Sequence, residues 1–228
     1  MNDRDRIFAM IPAAGLSRRM GRPKQLIAVN GQPMVLRLAE SMAAVDAIAG
    51  VMVVTRRAIA DALGATKIES SHGRIRIAFN EDESSEMIDS VRIGLRALGE
   101  TWGRGRAGIG EFSPHDGILV CPGDYPGLTT DAFAACAGAY LAAISRESKT
   151  SGASDCAHGR PPIIIASHGG RRGHPIIFPV ELIPFVMSPA CDGGLNALTR
   201  EFADRVRLVD LPTDAVLRDA DTPDDLTD

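Results

Sequence analysis

The sequence predicts an α/β fold: one three-layer sandwich built on a mostly parallel, mixed sheet. Three observations lead there. Short apolar runs bounded by turn residues alternate with longer segments of helical spacing, the pattern of a sheet covered by helices on both faces. Several of those runs empty directly into loops of small and charged residues, as where ligands gather beyond the carboxyl ends of strands. With 228 residues, 45% of them hydrophobic, the chain can bury one substantial core, so a single domain over residues 1–228 is expected.

The first strand is Ile7–Pro12, an unbroken apolar run. Helix Pro33–Val45 follows, because Val35, Leu38, Ala39 and Met42 share one face at helical spacing and Pro33 suits a first turn. The alternation continues through strand Val51–Thr55, helix Ala58–Leu63, strand Ile75–Phe79, helix Glu86–Leu98, strand Gly117–Cys121 and helix Asp131–Ser145. Strands Pro162–Ala166 and Pro175–Phe178, helix Gly194–Phe202 and strand Arg205–Leu211 complete it. Residues 101–115, rich in Gly and Arg, and 147–160, rich in Ser and Gly, bury too little apolar surface to offset the entropy of ordering. They are expected to be mobile surface insertions.

Composition excludes several classes. A net charge of −4 and a pI near 5.7 leave no basic excess for a phosphate backbone, so no nucleic-acid partner is expected. Cys121, Cys136, Cys156 and Cys191 are irregularly spaced with no Cys-x-x-Cys pair, which fits reduced, mostly buried thiols better than zinc or disulfides. The N-terminus is unlike a signal peptide, and the apolar stretch Ala132–Ile144, broken by Gly138, is too short for a bilayer. A cytoplasmic protein without membrane association is expected.

The most informative segment is Ala13-Ala14-Gly15-Leu16-Ser17-Arg18-Arg19-Met20-Gly21-Arg22-Pro23-Lys24, placed straight after the first strand. Ala13, Ala14 and Gly15 let a nucleotide approach the main chain, and Arg19 and Lys24 offer fixed positive charge to phosphate oxygens. The glycine spacing, with no Lys-Ser or Lys-Thr pair, matches neither the Walker A loop nor the dinucleotide fingerprint.

This run resembles the signature Ala-Ala-Gly-x-Ser-x-Arg-Met-Gly-x-x-Lys of the GT-A-like nucleotidyltransferases, and most closely their molybdenum cofactor cytidylyltransferase branch. The resemblance implies a Rossmann-like sandwich in which Ala13, Ala14, Gly15, Ser17, Arg19 and Lys24 hold the triphosphate of an incoming nucleotide.

Asp124, in the turn Pro122-Gly123-Asp124-Tyr125-Pro126 just past a strand end, is well placed to hold Mg²⁺ beside substrate phosphates. Capping of the next helix falls more naturally to Thr129 or Asp131. The turn is similar to the family's Asp-x-Pro motif, whose Asp binds the metal. In the tail, Asp221-Thr222-Pro223 resembles the superfamily's Asp-Thr-Pro ending, which implies Asp221 as the second metal carboxylate, with Asp219 in reserve. The stretch from Glu86 to Leu95 resembles Gly-Met-x-x-Ser-x-x-x-Gly-Leu, implying that Ser90 contacts the nucleotide, and Glu86 replaces the family's Gly.

Two further strings point to an acceptor side. Arg172-Gly173-His174-Pro175 is similar to the branch's Arg-Gly-His-Pro motif, and adjacent Arg171 and Arg172 could grip an acceptor phosphate. Residues 191–194 resemble Gly-Asp-x-Gly with Cys191 in place of the first Gly, implying Asp192 as an acceptor contact. A plain Gly-rich hairpin with exposed Arg is the competing account of the first string.

Together these imply a Mg²⁺-dependent transfer from CTP to molybdopterin, with Arg19, Lys24 and Asp124 as the catalytic groups and a molybdenum hydroxylase as client. CTP is implied over GTP because the guanylyl-transferring branch shows Gly-Gly where this chain has Ala14-Gly15. The alternatives are cytidylyl transfer to another small phosphorylated acceptor, or a cofactor-insertion chaperone that binds without turnover.

Overall fold

The computed structural model describes residues 5–17, 21–64, 73–102, 112–150, 160–220 and 225. In chain order the elements are β1 (Ile7–Pro12), the short pair β2 (Ala28–Val29) and β3 (Gln32–Pro33), α1 (Met34–Ala43), β4 (Ile48–Thr55), α2 (Arg57–Leu63), β5 (Ile75–Phe79) and α3 (Met87–Trp102). Then come β6 (Gly117–Val120), α4 (Thr130–Thr150), β7 (Ile163–His168), β8 (Arg171–Pro179), α5 (Ile183–Val186), α6 (Leu195–Glu201) and β9 (Val206–Asp210). Seven strands form one sheet in the order β5-β4-β1-β6-β8-β7-β9.

Side-chain alternation along the strands splits the core into two layers. Ile7, Ala9 and Ile11 of β1 pack with Leu38 and Met42 of α1 and Phe133 and Tyr140 of α4. Phe8 and Met10 face the other way, onto Val91, Leu95 and Leu98 of α3. All six β1 residues are buried, which is why the strand reads as a continuous apolar run. Each fully buried Ile or Phe favours folding by about 1.5–3 kcal/mol.

Within the seven-stranded sheet only β8 runs against its neighbours. β1 is parallel to β4 and β6, β4 to β5, and β7 to β9, whereas β8 is antiparallel to both β6 and β7. The reversal decides where the site lies. Val120, the last residue of β6, pairs with Ile176, so the beginning of β8 lies at the carboxyl end of β6. The carboxyl ends of β1, β4 and β6, the start of β8 and the segment leaving β9 therefore share one edge of the sheet.

The β7–β8 connection is a two-residue hairpin through Gly169 (φ 56°) and Gly170 (φ 77°), the left-handed pair that a twisted hairpin favours. Pairing resumes only after a bulge: Ser167 faces Arg172 and Ile165 faces Ile176, so Ala166 opposes three residues, Gly173 to Pro175. A methyl on Gly173 would lie 2.0 Å from the Val216 carbonyl oxygen, and only glycine permits this close passage.

Differences from the predicted elements have local causes. β4 begins at Ile48 rather than Val51, where Gly50 makes room for Trp102 of α3. The helix expected from Glu86 starts at Met87, with Glu86 before it donating its amide to the Asp89 carboxylate at 2.9 Å. α4 continues to Thr150, so the first residues of the segment 147–160 are helical, and residues 103–111 and 151–159 lie outside the described residues. The β2–β3 hairpin and α5 were not foreseen, although Asn30-Gly31, with φ values of 53° and 81°, is a strong turn signal. Cys121, Cys136 and Cys191 are free and buried, and Cys156 lies outside the described residues. No described helix is long and apolar enough to cross a membrane.

Candidate functional site

The loop leaving β1 is shaped by bonds to its carbonyls. The Ala13 carbonyl accepts hydrogen bonds from the Thr55 hydroxyl and the Gln25 amide, both at 3.0 Å. Gln25 also donates to the Gly15 carbonyl at 2.8 Å, and Arg56 Nε to the Ala14 carbonyl at 3.1 Å. Ser17 has a left-handed backbone (φ 50°), and its hydroxyl accepts from the Lys24 amide at 3.1 Å and donates to Gln25 Oε1 at 3.5 Å. Ala13, Ala14 and Gly15 thus form a fixed floor of minimal side-chain bulk.

From the Pro23–Leu26 turn, Lys24 reaches across the site to Asp124, with Nζ 2.5 Å from Oδ2. The other carboxylate oxygen, Oδ1, is buried with no hydrogen-bond partner among the described residues. Small residues allow the approach: Gly123 donates its amide to the Pro12 carbonyl at 3.1 Å, and a methyl on Gly123 would come within 3.0 Å of the Ala13 Cβ. The tail closes on the same turn, because the Ala220 amide donates to the Asp124 carbonyl at 2.7 Å. Asp221, one residue further, and Arg19 both lie outside the described residues.

Ala13, Gly15, Lys24, Ser90 and Asp124 line a cavity of about 180 Å³. The Ser90 hydroxyl, at its wall, accepts a hydrogen bond from Asn80 Nδ2 at 2.9 Å, and the same amide donates to the Ser85 hydroxyl at 3.0 Å. Asn80 is buried beyond the end of β5, so α3 and the loop before it are tied to the sheet at the cavity wall. Arg56 braces that loop from the other side through the Glu81 and Asp82 carbonyls, each at 3.3 Å.

A second cavity of about 390 Å³ adjoins the first, and Glu86 and Met87 line both. Its walls combine apolar surface from Ile88, Val91 and Ile165 with Tyr125, Arg172 and His174. The His174 ring packs edge-on to Tyr125 at 4.9 Å between centroids. Burial holds its pKa below the ordinary value, against the opposing pull of Asp124, a bond to the Val120 backbone and Asp219. Burial thus favours the neutral ring, and its Nδ1 is buried with no hydrogen-bond partner among the described residues.

The predicted residues thus divide. Ala13, Ala14, Gly15, Lys24, Ser90 and Asp124 share one cavity, and Arg172 and His174 face its neighbour. Ser17 is engaged in holding the loop. Asp192 gives its carboxylate to Arg92 at 2.6 Å, while Gly193 and Gly194 beside it line the second cavity. Gln25, Arg56, Asn80 and Tyr125 were missed. The Thr55-Arg56 pair at the end of an apolar strand could have been found, but nothing in the sequence marks Gln25 or Asn80 as buried.

A profile of the MobA-like NTP transferase domain matches residues 9–207. Two curated proteins described as 2-C-methyl-D-erythritol 4-phosphate cytidylyltransferase are similar to parts of the chain. That of Geobacter metallireducens is 30% identical over 129 residues, covering 55% of this chain and 50% of the relative. That of Frankia casuarinae is 32% identical over 95 residues, covering 41% and 33%. The chain therefore spans a third to a half of the length of these relatives. Among solved structures, Rv0371c from Mycobacterium tuberculosis superimposes with a TM-score of 0.64 at 19% identity, covering 97% of this chain and 95% of that one. A manganese complex of the same protein gives a TM-score of 0.60, again at 19% identity, with coverage of 96% and 95%.

Proposed function

The chain belongs to the MobA-like NTP transferase domain family, and from that premise we propose that it is a Mg²⁺-dependent nucleotidyltransferase that transfers the cytidylyl group of CTP to molybdopterin. One observation above all supports this: Lys24 and Asp124, a hundred residues apart, meet over a small-residue loop in the smaller of two adjoining cavities.

Asp124 fits a hard cation. Its Oδ1 is buried and takes no donor among the described residues, which suits a ligand that a carboxylate and phosphates hold together. Asp221 is the proposed second ligand, and Ala220 brings the chain to within one residue of it. When bound, Mg²⁺ neutralises phosphate charge and polarises the α-phosphoryl group. Lys24 and Arg19 carry positive charge to the triphosphate, and the tethered loop over residues 13–17 holds it in line. An oxygen of the acceptor's phosphate monoester then forms a bond to the α-phosphorus as the bond to pyrophosphate breaks. That oxygen is already anionic and needs no general base, which agrees with a neutral His174 on the acceptor side.

The second cavity favours molybdopterin. Apolar side chains and Tyr125 suit a flat fused ring, Arg172 suits a phosphate, and the neutral His174 Nδ1 suits an N–H donor. A polyol phosphate such as 2-C-methyl-D-erythritol 4-phosphate carries no flat ring to cover the apolar surface of Ile88, Val91 and Ile165. That acceptor is nonetheless the second reading, on the strength of the curated similarities. A molybdenum hydroxylase would be the protein that receives the product.

Pyrophosphate release measured with CTP or GTP, each paired with molybdopterin or 2-C-methyl-D-erythritol 4-phosphate, tests the assignment. CTP with molybdopterin is expected to be fastest. A clear preference for GTP overturns the nucleotide, and a preference for the polyol phosphate selects the second reading. Tight molybdopterin binding with no Mg²⁺-dependent pyrophosphate release identifies an insertion chaperone instead.

A further inference from the structure

We propose that Arg92 is a positioning residue that latches one wall of the acceptor cavity, and that Asp192 acts on the site only through it. The proposal rests on the nucleotidyltransferase reading for its substrates, though not for its geometry. From α3, one guanidinium gathers three acceptors of a remote segment: Nε donates to the Val186 carbonyl at 3.0 Å, and Nη2 to the Ser188 carbonyl at 2.7 Å and to Asp192 Oδ1 at 2.6 Å. Asp89 of the same helix stands 3.8 Å from Nη1, on the helix side of the guanidinium. The gathered segment leads directly into Gly193, Gly194 and Leu195, which line the 390 Å³ cavity. The same turn of α3 supplies Ser90 to the nucleotide cavity and Val91 to the acceptor cavity. The latch therefore fastens the acceptor wall to the helix that both cavities share.

Exposure ranks the partners. The Asp192 side chain is 65% exposed, so its ion pair alone contributes little. The Arg92 side chain is only 16% exposed, and its bonds to two carbonyls are charge-assisted. Lysine cannot replace it, because a single ammonium does not reproduce the planar fork that spans three acceptors.

KM and kcat for CTP and for molybdopterin, compared across Arg92→Gln, Arg92→Lys, Asp192→Asn and the Arg92→Gln/Asp192→Asn double variant, test the latch. Arg92→Gln is expected to raise KM for molybdopterin about tenfold while KM for CTP stays within about twofold. Arg92→Lys should not restore it. Asp192→Asn should raise KM for molybdopterin about two- to threefold by itself and add nothing in the Arg92→Gln background. An equal rise for both substrates, rescue by lysine, or an additive Asp192 effect overturns the proposal, the last because it places the carboxylate on the acceptor itself. Hydrogen exchange in the free protein gives a readout without substrates, and Asp192→Lys serves if Arg92 variants do not fold. Amides of residues 187–194 should exchange faster while those of residues 13–17 do not, and unchanged protection overturns the latch. Wild-type protein that turns over no acceptor counts against the transferase reading and leaves the exchange result to judge the latch.

Discussion

The proposed nucleotide side and the proposed acceptor side of the site are built by different means. The first is a loop of five residues, 13–17, whose carbonyls are tied down by Thr55, Gln25 and Arg56, with a charged pair closing over it. The second is a wall assembled from α3, a bulge in β8, the turn after β6 and the segment before α6, joined by apolar contact and by Arg92. Polar tethers and a charged pair shape the first, whereas the second combines steric fit with a single guanidinium that ties distant segments together. Removing charge at Lys24 or Asp124 should therefore damage the nucleotide side, and changing volume or segment position the acceptor side.

The sharpest way to break this contrast is Asp124→Asn. It removes the carboxylate charge beside Lys24 without changing side-chain volume, and turnover is expected to fall roughly 10²-fold or more. Thermal unfolding should still show a folded protein, and retained turnover removes Asp124 from the chemistry.

Gly173→Ala tests the other half. Its new methyl would meet the Val216 carbonyl oxygen at 2.0 Å, a backbone atom that cannot swing aside. Destabilisation of about 1–3 kcal/mol is expected by denaturant unfolding, with weaker acceptor binding and unaltered CTP affinity. An equal loss of CTP affinity would merge the two halves into one unit.

Lys24→Ala should weaken CTP binding about tenfold by calorimetric titration with Mg²⁺, since one charge-assisted phosphate contact is lost. Unchanged affinity would leave Lys24 a purely structural partner of Asp124.

The smallest effect concerns pH. Because burial lowers the His174 pKa, the unfolded chain takes up this proton more readily than the native state. Stability from this group is complete above the ordinary histidine value of about 6.5 and is lost as pH falls from there through the lowered native value. His174→Asn should flatten that slope in pH-dependent unfolding, and an unaltered slope would show that the ring does not titrate as a buried neutral group.

Much of the frame was legible in the residues. β1 and β5 fall where their apolar runs predict, and most other strands shift by one to three residues; β1 is legible because it is buried on both faces and reads as one apolar run. β8 differs most, running from Arg171 rather than Pro175, since its polar first half is strand only by virtue of the Gly169-Gly170 hairpin. Ala13–Gly15, Lys24 and Asp124, which the fold gathers around one cavity, stand out because each sits in a short, chemically distinctive string after a strand. Gln25 was not, because a single polar residue in a turn carries no mark of being buried. Asp192 was assigned from its loop alone, and its partner Arg92 lies 100 positions away on a helix face that looks merely solvated.

The sequence by itself determined the α/β class, the small-residue loop after the first strand and the strand-end carboxylate, because each depends on residues within about a dozen positions of one another. Only the tertiary structure decided that β8 runs backwards, that His174 faces the cavity beside Asp124's turn, and that Asp192 answers to Arg92. Those relations depend on strand direction, on the space left by Gly173 and on hydrogen bonds between distant segments, none of which any local string of residues contains.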